Sequence, residues 1–365
     1  MKFVLFISAL LSSQALLAAN APTKMNLLAL ESQFITIENK EQAIVQKNVV
    51  DGIKALSGGI LDLPANVGFI IPKTYESPFF DPMAVTLVAP YQMVIGGRSK
   101  NPVFTRGVEL HEFGHAIFNE NMELILKKQP EFLKRWAVVK KLINKTSKTK
   151  AKLLRRDIVL ELLQKKIETE KASASSPMAV ELGTIYMSYE DEQLELERTY
   201  AENEHVLQDL SAIIQSLTPY NEFFADVVAV VVTDDAQSIS NALHFAHDHS
   251  LDASERIPYE DRSFNRRASR RPQDGTPHNF YSLSRNYIYK YYLSNPIYKA
   301  KGKPWLVRKT MDAVSCGINN QNALADKLEA EAKALLAKNP KMDVNAFFIE
   351  KLNDGLNRCM DSVFQ

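Results

Sequence analysis

The 365-residue chain is poor in cysteine, with only Cys316 and Cys359. Neither stands in ligand spacing with another cysteine or with histidine, which excludes a zinc site built on thiolates. Any zinc would be held by histidine and carboxylate. The two cysteines suit one disulfide closing the C-terminal region of an exported chain, or else two buried thiols. An excess of one charge is also lacking. Lys+Arg number 44 against 43 acidic residues, for a formal net charge of +1. Such balance gives no reason to expect nucleic acid or an anionic membrane as partner. Beyond the N-terminus no stretch approaches the roughly 18 uninterrupted apolar residues of a membrane span, so none is expected in the mature chain. Hydrophobic residues still make up 45%, enough to bury a sizeable core.

What is present begins with "MKFVLFISALLSSQALLAANAP". Lys2, an apolar run and the small residues Ala18, Ala19 and Ala21 read as a secretory signal peptide, residues 1–21. The run is short and interrupted by Ser and Gln, which speaks against a membrane anchor. No cysteine follows it, so no lipoprotein anchor is expected. The expected location is therefore exported, periplasmic or secreted.

Residues 22–60 hold helix-like patterns such as "NKEQAIVQKNVVDGIKAL", ended by Gly58-Gly59. Residues 61–97 switch to apolar runs of strand length, "VGFIIP", "AVTLVAP" and "YQMVIGG". "APYQMVIGG" reads as an edge strand, to which an extended peptide could add. Residues 122–217 are charged and almost free of glycine, with apolar spacing at helical period. Their basic and acidic runs read as solvated helix faces. The apolar "TPYNEFFADVVAVVV" follows, then a polar stretch over 233–275, then helices again. The expected parts are 22–121 as an N-terminal α/β part, 122–217 as a helical insertion and 218–365 as a helical C-terminal part.

The stretch "VELHEFGHAIFNEN" carries the chemistry. Positions four apart lie on one face of a helix, so His111 and His115 can direct ring nitrogens at one ion. Glu112 is turned about 100° away and can accept a proton beside the ion without ligating it. Gly114 in mid-helix costs about 1 kcal/mol relative to alanine, and close approach of another backbone is one reason to keep it. A catalytic zinc needs a third protein ligand and an open position. "NEFFADVVA" offers one: Glu222 and Asp226 are again four apart, in a segment too apolar to bury unpaired carboxylates cheaply. Metal ligation by Glu222, and a hydrogen bond from a ligand imidazole to Asp226, would relieve that cost; pairing of both carboxylates with Lys or Arg would relieve it too.

"HEFGHAIF" followed by "NEFFAD" resembles the gluzincin zinc metallopeptidases, thermolysin-like enzymes in particular. The resemblance implies Zn2+ on His111, His115 and Glu222, Glu112 as general base, and Asp226 as the partner of His111. "QDGTPHNFYSLSRNYIYKYYL" resembles the family segment whose histidine steadies the tetrahedral intermediate. That implies His278 as the catalytic donor and Asp274 as the residue orienting its ring. "DRSF" resembles the Arg-Ser segment, which implies Arg262 as the holder of a substrate carbonyl, with Arg256, Arg266 and Arg267 as competitors. A tyrosine that assists the oxyanion would be Tyr186, Tyr189, Tyr200 or Tyr220. The fold implied is α+β and zincin-like: a small N-terminal β-sheet with an edge strand, the active-site helix, and a mostly helical C-terminal part with a long helical insertion. The interval from His115 to Glu222 is far longer than in the family, and the family's calcium cluster is not recognisable. His244, His247 and His249 could form a second metal site or be ordinary polar residues.

The expected function is an exported zinc endopeptidase acting on peptide or protein substrates, since no segment of the aminopeptidase type precedes the motif. Two other readings remain. One is a non-catalytic exported zinc-site protein whose helical insertion binds a partner. The other is a scaffold protein whose proteolysis is autolytic.

Overall fold

The computed structural model describes residues 26–30, 39–58, 61–63, 66–70, 79–81, 91–94, 102–242, 262–265 and 277–365. The expected signal peptide, Asp274, the histidines at 244, 247 and 249, and the arginines at 256, 266 and 267 lie outside them. The chain divides into two compact units. Unit 1 comprises 1–46, 64–98 and 134–212, and unit 2 comprises 47–63, 99–133 and 213–365. The expected insertion 122–217 is therefore shared: 134–212 belongs to unit 1 and both its ends to unit 2.

The α+β expectation is overturned. Where side chains are described, 83% of residues are helical and no strand is present. Only backbone is described for four short stretches of unit 1, β1 Asn26–Leu30, β2 Asn66–Ile70, β3 Phe79–Asp81 and β4 Tyr91–Val94, in the order β1-β2-β4-β3. The expected edge strand is corrected as well. β4 runs parallel to β2 and antiparallel to β3, so it is flanked on both sides. The physical reason for the change of class is that the described core closes helix against helix, with no sheet as a layer.

Helix α1 spans Asn39–Leu56 and the short α3 spans Met122–Ile125; in unit 1 the long helix α4, Pro130–Glu170, runs against α5, Pro177–Glu202. Ser176 caps α5 by accepting from the Ala179 amide, and Pro177 fills its first turn, where a missing N–H costs nothing. Arg156 meets Glu192 at 2.6 Å and donates to the Ser188 carbonyl, while Arg135 meets Asp209. Partner numbers that fall as their mates rise make α4 antiparallel to the run from α5 into the start of α6, Glu204–Thr233.

Unit 2 is built on α2, Pro102–Glu120, and the later part of α6, Glu204–Thr233. Phe113, Ile117, Phe223, Phe224, Val227 and Val228 are each 0% exposed. Each such side chain contributes roughly 1.5–3 kcal/mol by leaving water. The helices touch backbone to backbone: a Cβ on Gly114 would lie 2.6 Å from the Ala225 Cα. That contact is the packing reason for the mid-helix glycine. It also sets His111 and His115, on either side of Gly114, against Glu222 and Asp226, on either side of Ala225. Further on come α7, Ser282–Ile288, a π-helical turn Tyr289–Leu293, α8, Pro296–Lys299, α9, Lys303–Lys338, and α10, Val344–Phe364. Cys316 and Cys359 form a disulfide that ties α9 to α10 across 43 residues. Closing a loop of that length stabilises by about 4 kcal/mol on the chain-entropy account. A cavity of about 280 Å³ lies beside this disulfide, lined in part by Tyr220, Gly317 and Leu356. No described helix is long and apolar enough to cross a membrane.

Candidate metal centre

All the groups of the centre belong to unit 2. His111, Glu112 and His115 are 5%, 3% and 6% exposed, and one ligand atom from each lies within 4.8 Å of the others. This buried cluster could hold a metal ion. The two Nε2 atoms stand 3.0 Å apart with the rings at 79°. The outer nitrogens are both engaged. His115 Nδ1 donates to Asn221 Oδ1 at 2.9 Å, and His111 Nδ1 meets Asp226 Oδ1 at 2.8 Å. Each Nε2 therefore turns inward, and only a shared proton or a cation can hold two inward lone pairs at that distance.

Glu222 stands against both rings. Its Oε2 is 3.3 Å from His111 Nε2 and its Oε1 is 3.6 Å from His115 Nε2. Donors at about 2.0–2.2 Å from a tetrahedral ion stand roughly 3.3–3.6 Å from one another, so these spacings fit a divalent cation with little movement. Two buried oxygens, Glu112 Oε2 and Glu222 Oε2, have no hydrogen-bond partner. Surplus lone pairs in a buried site are what a cation would satisfy.

The charges follow from these contacts. Burial and Arg262 push the His111 pKa down, but Asp226 and Glu222 outweigh them and raise it to about 9. Burial lowers His115 to about 4 and raises Glu112 to about 7, with His111 opposing that rise. Burial also works against ionisation of Glu222, yet His115 and His111 hold its carboxyl below the usual range.

Asp226 is 0% exposed. Arg262 Nη2 donates to its Oδ1 at 2.6 Å and Arg262 Nε to its Oδ2 at 3.4 Å. Arg285 Nη2 lies 2.6 Å from Oδ2. Against the cost of burial, Arg262 and Arg285 hold the Asp226 carboxyl well below its ordinary value. Arg262 Nη2 also sits 3.3 Å from both ring nitrogens of His111, so this residue lies inside the cluster and is 6% exposed. His278 stands at the rim. Its side chain is 46% exposed, and its Nε2 is 3.3 Å from Glu222 Oε2. Burial and Arg262 lower its pKa to about 4.

The structure thus brings together His111, Glu112, His115, Glu222, Asp226, Arg262 and His278. Of the four tyrosines, only Tyr220 belongs to unit 2, two residues before Glu222, with its ring against Tyr281. Sequence reasoning passed over two residues. Asn221 fixes the His115 ring, and its signal is its place directly before Glu222. Arg285 has a periodic signal: Tyr281, Arg285, Ile288 and Tyr292 mark one buried helical line. Compared with known protein families, with curated proteins and with solved structures, the chain gives no match.

Proposed function

We propose that the chain is an exported zinc metalloendopeptidase of the gluzincin kind, thermolysin-like at its centre. One observation carries the reading: the two inward Nε2 atoms 3.0 Å apart, with the Glu222 oxygens 3.3 and 3.6 Å from them. Two imidazoles and one carboxylate, with a position left over, form a donor set that suits catalytic zinc. Zinc held by His111, His115 and Glu222 would supply a polarised substrate carbonyl and a water of near-neutral pKa.

The other groups have distinct work. Burial raises the Glu112 pKa, a neighbouring cation would favour its ionised form, and as the carboxylate it accepts the proton of the attacking water. It then delivers that proton to the leaving amine. His278 is neutral at pH 7, since its pKa is held near 4. A neutral ring protonated on Nε2 donates a hydrogen bond to the developing oxyanion. Asp226 and Asn221 keep the two ligand rings in the tautomer that points Nε2 inward. Arg262 remains the candidate for a substrate carbonyl, with two of its nitrogens already on Asp226. The disulfide supports an oxidising compartment. With β4 flanked on both sides, addition of a peptide to that strand is not proposed.

The test compares purified wild type with Glu112→Gln for bound zinc and for cleavage of an unstructured protein. Zinc in both with cleavage by wild type alone is the expected result. Equal cleavage would remove Glu112 from the chemistry, and absence of a tightly bound divalent metal would remove the reading itself. The second reading, a non-catalytic zinc-site protein that binds a partner through its helices, is favoured by one feature. Val180, Met187 and Leu194 lie seven residues apart on α5 and are 61%, 69% and 62% exposed. It gains if zinc is bound and neither protein cleaves.

A further inference from the structure

Among the described residues, Arg285 is the largest fully buried side chain that carries a charge, at 0% exposure. Arginine is almost never fully buried unless paired. Here the partner is Asp226. Arg285 Nη2 lies 2.6 Å from Asp226 Oδ2, and its Nε and Nη1 have no hydrogen-bond partner among the described residues. A guanidinium kept to brace the fold would spend its five donors on carbonyls and carboxylates. This one spends itself on a single carboxylate, Asp226. The Asp226 carboxylate it faces is the one that takes the Nδ1 proton of His111, and its two oxygens already have Arg262 across them. A single guanidinium would suffice to neutralise Asp226, so the charge of the second acts on the wider set of buried carboxylates, Glu222 among them.

We infer that Arg285 is a positioning residue for the metal site: acting through Asp226, it keeps the loaded site one charge more positive, loosening its grip on a divalent cation and favouring an anionic reacting group. The inference rests on the reading of His111, His115 and Glu222 as metal ligands. The charge count gives it its sign. Three carboxylates, Glu112, Glu222 and Asp226, face two guanidiniums, Arg262 and Arg285. A divalent ion brings the ionised set to +1, and without Arg285 the same set is neutral. In a buried site a unit charge acts over several ångströms with little screening. Removing Arg285 therefore tightens metal binding, and a second consequence is weaker attraction for negative charge developing on the substrate.

The test measures Zn2+ affinity by competition with a chromogenic chelator for the full chain, which needs no catalysis. Arg285→Met is expected to bind Zn2+ about tenfold or more tightly than wild type, and Arg285→Lys, which restores the charge, to stay close to wild type. Because Arg285→Met leaves Asp226 with one cation fewer and can lose fold, a second pair is measured: Asp226→Asn and the double variant Asp226→Asn/Arg285→Met. The double variant removes the buried ions together and is expected to bind more tightly than Asp226→Asn. Weaker or equal binding in both charge-removing variants, relative to their own parents, overturns the inference and leaves Arg285 a fold element. A wild type that binds no Zn2+ overturns instead the metal reading on which it rests, so the two failures are told apart by the wild-type measurement.

Discussion

Helix α5 carries seven carboxylates, and α6 carries two from Asn221 onward. On α5, Glu181, Glu190, Asp191, Glu195, Glu197 and Glu202 are exposed, and only Glu192 is buried, opposite Arg156 at 2.6 Å. On α6, Glu222 and Asp226 are 8% and 0% exposed, among Phe223, Phe224, Val227 and Val228 at 0%. The same functional group thus sits in two solvents. Water screens the first set, so each charge is cheap to keep and contributes little. The second set is held in an apolar helix, where an uncompensated carboxylate costs several kcal/mol. The compensation visible there is two imidazoles and two arginines. Two buried carboxylates in company therefore say more about chemistry than six in water.

The sharpest way to break this comparison is to delete the most buried charge. Asp226→Ala strands Arg262 and Arg285 in the core with no anion between them. The expected loss is about 3–5 kcal/mol of unfolding free energy, read by urea titration. Zinc affinity should fall by about 10–100-fold as well, since His111 loses the acceptor that orients it. Stability unchanged within about 0.5 kcal/mol would mean the ion cluster is not formed in solution.

A second measurement sharpens the contrast through pH. In the ion-free site His111 holds its proton up to about pH 9, because Asp226 and Glu222 outweigh burial and Arg262. A cation at Nε2 must displace that proton. The sign follows: the proton is bound below pH 9, so metal affinity falls as pH drops, by about tenfold per unit while one proton is displaced. Calorimetry in buffers of different ionisation heat should read about one proton released near pH 7. Affinity that is flat between pH 6 and 8 would take His111 out of the ligand set.

The centre was more legible than the fold, for a local reason. His111, Glu112 and His115 share one helix, so their spacing alone fixes their relation. Glu222 and Asp226 were legible because carboxylates in so apolar a run need a partner. Gly114 pointed to a close backbone, and Ala225 is that backbone. Arg285 was missed because it sits in a tyrosine-rich run, where one cation reads as a surface residue until the periodic line is drawn. The sheet was over-read. Apolar runs of strand length at 61–97 report local propensity, but whether strands form a layer depends on what packs against them. Here the described core is supplied by Phe113, Ile117, Phe224, Met311 and Val314, all on helices.

The smallest expected effect lies at the other end of the comparison. Glu202 ends α5 and approaches Arg198 at 4.0 Å, with the side chains 60% and 72% exposed. At that distance and exposure the pair gains little from Coulomb attraction and loses side-chain freedom in keeping its geometry. Glu202→Gln removes the charge and keeps the shape. Unfolding free energy should stay within about 0.5 kcal/mol of wild type, and zinc content should not change. The measurement is the same urea titration used for Asp226→Ala, so the two variants share one scale. A loss above about 1 kcal/mol at Glu202 would show that the acidic face of α5 is held against something that excludes water. The division between solvated and compensated carboxylates would then no longer separate the two helices.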